Sequence, residues 1–85
     1  MENRVAVMSI IVENMEVVEQ INTLLHEYGS YIIGRMGLPY RERNINIICI
    51  ALDARQDVIS ALSGKIGSLG GVGVKTAYSS KKYTD

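Results

Sequence analysis

The segment Gly34-Arg35-Met36-Gly37-Leu38-Pro39-Tyr40-Arg41 concentrates the residue types in this chain best suited to holding a ligand. Two glycines in an extended run allow close approach by another backbone or a small molecule. Arg35 between them carries a planar fork that matches a carboxylate or phosphate, and Arg41 and Arg43 follow in the next turn. Gly34, Arg35, Gly37, Tyr40 and Arg41 are therefore candidate ligand-binding residues. The same pattern also fits an edge strand with a bulge and solvated arginines. The residues alone leave both readings open.

Other chemistry lacks its parts. The chain has one His and one Cys, His26 and Cys49, and no Cys-x-x-Cys or His-x-x-x-His spacing. Neither a zinc nor an iron–sulfur site within one chain is expected, and no cofactor is implied. His26 reads as an exposed helix residue and Cys49 as a small buried hydrophobe. No Ser or Cys sits in an activating context, and Glu13, Asp53 and Asp57 fall at helix starts, where capping accounts for them. The expectation is a protein that is not an enzyme. Gly70-Gly71-Val72-Gly73 looks like a phosphate cradle but follows a helix C-terminus, the wrong end of the dipole for an anion. Nine Lys and Arg balance nine Asp and Glu, which disfavours direct nucleic-acid binding.

The elements that must position these residues follow from periodicity. Val5 to Val12 is apolar on both alternating faces except at Ser9, as a central strand requires. Asn14 can cap the next segment, where Val17, Val18, Ile21, Leu24, Leu25 and Tyr28 fall at helical spacing up to Gly29. Tyr31 to Leu38 reads as a second strand stopped by Pro39. Ile45 to Leu52 is a third, apolar on both faces apart from Asn46. Asp53, with Gln56 three residues on, is placed to cap a second helix. Its stripe is Val58, Ile59, Leu62, Ile66 and Leu69, and Gly70-Gly71 ends it. Val72 to Tyr78 is a fourth strand, and 79–85 reads as a loose polar tail.

The two halves match at a shift of 41 residues. Val17 falls on Val58, Ile21 on Leu62, Leu25 on Ile66 and Gly29 on Gly70, while the first strand falls on the third with Val7 on Ile48. Two βαβ units in a chain of 85 residues predict a single α+β domain over 1–85. The expected architecture is a ferredoxin-like βαββαβ sandwich, a four-stranded antiparallel sheet with two helices on one face. Strands one and three are apolar on both faces, yet the helices cover only one. A row such as Val5, Val7 and Ile11, or its partner row, is left to meet something else. The expectation is a homo-oligomer, dimer or tetramer, joined through the sheet.

The apolar run from Val5 to Val12 is too short for a membrane span or a signal-peptide core. A lone cysteine suits a reducing compartment. Together they predict a cytoplasmic protein with no membrane partner.

Three runs carry a family resemblance: Tyr31-Ile32-Ile33-Gly34-Arg35-Met36-Gly37-Leu38-Pro39-Tyr40-Arg41, Leu62-Ser63-Gly64-Lys65-Ile66-Gly67 and Gly71-Val72-Gly73-Val74-Lys75-Thr76-Ala77. They resemble the small regulators of iron-only hydrogenase systems, a family that is ACT-like and similar to the C-terminal regulatory domain of the nickel-responsive repressor. The resemblance implies a regulatory role, such as transcriptional regulation, and an assembly built through sheets. With only His26 and Cys49 as donors, nickel is not carried over. ACT-type modules often bind amino acids near the first strand-to-helix loop, here Glu13-Asn14-Met15, which adds Asn14 to the candidate ligand-binding residues. The expected function is a stand-alone regulatory ACT-like module that binds a small-molecule effector. The alternative is a ligand-free interaction or assembly factor for hydrogenase maturation, with a protein partner.

Overall fold

The computed structural model describes residues 2–84. Four strands, β1 (Glu2–Val12), β2 (Ile32–Tyr40), β3 (Ile45–Ala54) and β4 (Val72–Thr84), form one sheet in the order β2-β3-β1-β4. Every neighbouring pair is antiparallel. Two helices, α1 (Val18–Glu27) and α2 (Gln56–Gly67), cover one face. This is the ferredoxin-like sandwich that the two βαβ units predict, and it is consistent with the ACT-like fold that the resemblance implies.

The core lies between the helices and the even-numbered residues of the central strands. Ala6, Met8, Ile10 and Val12 on β1, and Ile48, Ile50, Leu52 and Ala54 on β3, are buried against Ile21 and Leu25 of α1 and Ile59, Leu62 and Ile66 of α2. The spacing of those helical residues puts them on one stripe. Each large side chain so buried contributes about 1.5–3 kcal/mol. With Phe and Trp absent, the core is wholly aliphatic apart from Met8, and tyrosines pack only at its rim.

Several expectations are corrected. The halves are not in one frame throughout. The helices do align, with Ile21 and Leu62 both buried, but Val7 faces away from the helices while Ile48 faces them. Five residues, 13–17, join β1 to α1 and include a 3-10 turn, Met15–Val17, whereas Arg55 alone joins β3 to α2. Pro39 does not stop β2; it pairs with Asn46 inside the strand. β2 is an edge, where a residue without an N–H is tolerated. Asp53 does not cap α2: it is a strand residue opposite Val5, and Arg55 precedes the helix. Nor is the chain after Tyr78 a loose tail. β4 continues to Thr84, with Lys82, Tyr83 and Thr84 paired to Arg4, Asn3 and Glu2 across a bulge. Arg4 pins that bulge by donating to the Ser79 carbonyl at 2.8 Å and stacking over Tyr78. Asp85 lies outside the described residues.

One glycine is required by the fold. Gly71 has φ +75°, and a Cβ there would stand 2.7 Å from Asn14 Cβ. It turns the chain from α2 into β4 beneath the first crossover, where its carbonyl accepts from Glu13 N at 2.7 Å.

Candidate functional site

The six candidate residues do not form one cluster. Asn14 does cap: its side chain accepts from Glu16 N at 3.1 Å at the start of the 3-10 turn, and Gly71 packs against it. Arg35 lies on the helix side of β2 and donates to Asn22 Oδ1 of α1 at 3.3 Å. The Tyr40 hydroxyl donates to Glu42 at 3.4 Å. Gly34 sits at a register shift in β2, so the bulge reading holds and Ile33 is thrown outward. A Cβ on Gly34 or Gly37 would meet no atom of the chain within 4 Å. No close approach among the described residues demands glycine there.

Arg41 is the candidate that reaches a concavity. A pocket of about 270 Å³ opens at the end of the sheet, between the 3-10 turn after β1 and the turn joining β2 to β3. Met15, Pro39 and Ile45 supply apolar walls, and Arg41, Asn44 and Asn46 the polar ones. Asn44 is held with φ 55°, a conformation asparagine tolerates. The Asn46 Oδ1 atom is buried and has no hydrogen-bond partner among the described residues. A buried amide oxygen left unpaired is costly and marks a place where a donor would be welcome. Asn46 was not among the sequence candidates, although a lone polar residue in an otherwise apolar strand was the signal that could have found it. The pocket thus joins Arg41 to Met15, the neighbour of Asn14, but not to Arg35.

A wider cleft of about 450 Å³ runs between the helices, lined by Glu27, Tyr28, Tyr31, Asp57, Val58, Ala61 and Lys65. Several of its polar groups are already engaged. Lys65 Nζ donates to the Tyr28 hydroxyl at 2.9 Å, and that hydrogen bond raises the Lys65 pKa above its ordinary value. Asp57 pairs with Arg55 at 2.8 Å. Among the described residues no group of three or more His, Cys, Asp or Glu could hold a metal ion. His26 is exposed; Cys49 is a free thiol, half-buried rather than buried, on the sheet face away from the helices.

The second face of the sheet is left open by the helices. It presents Val5, Val7, Ser9 and Ile11 of β1, Ile45, Ile47, Cys49 and Ala51 of β3, and Met36, Leu38 and Tyr40 of β2. Val7 is 47% exposed, Ile11 46%, Met36 56% and Leu38 53%. These side chains form one contiguous apolar field across three strands. No helix among the described residues is long and apolar enough to cross a membrane.

Residues 4–76, nearly the whole sandwich, match the family described as "TM1266-like: Iron-only hydrogenase system regulator, putative". The chain belongs to this family. The protein TM1266 of Thermotoga maritima, whose structure is known and which is itself uncharacterized, is 40% identical. The match covers 89% of this chain and 96% of that one, with a TM-score of 0.85. A formyltetrahydrofolate deformylase of Pseudomonas putida KT2440 has the same fold over 86% of this chain, at 13% identity and a TM-score of 0.62. This chain corresponds to 28% of that enzyme, and at such identity the likeness shows the fold alone. No curated protein matches the chain. The family resemblance drawn from the Tyr31–Arg41 run and its companions is thereby established.

Proposed function

We propose that this chain is a stand-alone, non-catalytic ACT-like module regulating an iron-only hydrogenase system. It assembles with copies of itself through the open sheet face and answers to a small effector. The observation that carries this reading is the apolar field on the second face of the sheet. Its rows on the central strands are mostly apolar, and no element among the described residues covers them. A contiguous exposed surface of this kind is the usual mark of an interaction site.

The pocket beside Arg41 is the natural effector site. A guanidinium fork and a buried, unpaired amide oxygen over apolar walls suit a small molecule bearing a carboxylate or phosphate and a donor. Its place, where the first crossover meets the β2–β3 turn, would let a ligand tie together two segments that flank the open face. Met15 and Tyr40, both about 41% exposed, stand at that junction.

The test is the mass of the purified protein in solution by light scattering, with and without a mixture of metabolites and metal ions, followed by thermal melting. A dimer or tetramer is expected, with one additive raising the melting temperature and Arg41→Ala abolishing the rise. A monomer indifferent to every addition would overturn the reading. It would turn attention to the ligand-free assembly factor, with a protein partner on the exposed face.

A further inference from the structure

Two opposite charges, Asp53 and Lys75, stand on the open face on either side of Val7. Val7 stands opposite Ala51 on β3 and Ala77 on β4. Asp53 lies two residues beyond Ala51, opposite Val5; Lys75 lies two residues before Ala77, opposite Ser9. Because side chains on one face repeat every second residue, both belong to the face of Val7. Asp53 is one strand to one side and one side-chain step along the strand. Lys75 is one strand to the other side and one step the opposite way. Standard strand spacings put each about 8 Å from Val7, in opposite directions. Both are exposed, and neither takes part in an ion pair among the described residues.

We propose that the open face closes on a second copy of this chain about a two-fold axis over Val7, pairing Asp53 of each copy with the partner's Lys75. The axis lies between the two sheets, perpendicular to the line from Asp53 to Lys75. Such an axis exchanges the two positions, so one arrangement forms both ion pairs. Two-fold interfaces are self-complementary in this way. Drawn across the register, the same axis runs from Val7 toward Met36, two strands away and one side-chain step along. Two prominent apolar side chains of the face therefore meet their own counterparts. Their neighbours Ala51, Ala77, Ser9, Cys49 and Gly34 are small, which permits close approach of the sheets. The strands of the two copies cross steeply, near the orthogonal class of sheet packing. The open space around Gly34 then has a reason that the isolated chain does not supply.

This register rests on the sheet-face assembly proposed above, and charge reversal separates the two. Dimer dissociation would be measured by sedimentation equilibrium for the wild type, Asp53→Lys, Lys75→Asp, the double swap, and Val7→Glu. Each single reversal should weaken association by tenfold or more, because like charges then face each other. The double swap should restore it to near the wild-type value. Single reversals that leave association unchanged, or a double swap no better than either single, would overturn the register. If Val7→Glu still dissociates the dimer in that case, assembly through the sheet stands and only the axis is wrong. A wild type that is monomeric at every concentration would overturn both.

Discussion

Ile10 and Ile11 are adjacent on the same strand and chemically identical, yet one is fully buried under the helices and the other is 46% exposed on the far side of the sheet. The same contrast repeats along β1 and β3. Even-numbered residues make the core, and odd-numbered residues of comparable hydrophobicity make a surface. The two faces show that an apolar residue on a central strand carries two separable duties. On one face it holds the monomer together. On the other it stabilises little within the chain, so its free energy is available for association.

Three measurements would break or sharpen that contrast. The largest effect is expected from the pair itself. Ile10→Ala should lower unfolding stability by about 2–5 kcal/mol, because it empties a fully buried site. Ile11→Ala should cost under about 1 kcal/mol in dilute protein and more as concentration rises. Chemical denaturation at two protein concentrations checks both. Equal, concentration-independent losses would erase the distinction between the faces. Next is Gly71→Ala at the far end of the covered side. Its positive φ and the crowding on Asn14 predict a loss of about 1–3 kcal/mol without any change in assembly. A matching change in oligomer mass would show that the covered and open sides are not independent.

The smallest effect concerns the outer surface of the helices. The hydrogen bond to Tyr28 raises the Lys65 pKa, so the folded state favours the charged amine. For a group shifted upward, this contribution is fully present below the ordinary value of 10.5 and is lost only as pH climbs through the raised one. Lys65 is solvent-exposed, and the contact is screened. Melting curves of the wild type and Lys65→Met should therefore show no difference in pH dependence between pH 6 and 9. A difference in that window would mean that the interhelical cleft matters more than the exposed geometry implies.

Much of the architecture was legible in the residues. The buried stripes Ile21/Leu25 and Ile59/Leu62/Ile66 follow directly from helical spacing, and the two-sided apolarity of β1 and β3 foretold a face without a cover. The candidate site was only partly legible. Arg41 does line a pocket, but Arg35, Asn14 and Tyr40 turn to local partners, Asn22, Glu16 and Glu42. Asn46 emerged only when β3 was placed beside Pro39 and Met15. Asp53 reads as a cap in the sequence, because an acid before a helix has the same composition as an acid at a strand end, which is where it lies.

The sequence by itself determined the elements, their order and their hydrophobic faces, because periodicity of 2 or 3.6 is a local property of the chain. Only the tertiary structure decided which row of each central strand faces the helices. The two strand-to-helix connections differ in length and the frame differs between the halves, and a one-residue shift of frame flips every side chain of a strand. It also decided that Ser79–Thr84 completes β4, since that depends on Arg4 arriving from the other end of the chain. And it decided that Asp53 and Lys75 flank Val7 on one face, since register across three strands is a long-range relation that no local pattern encodes.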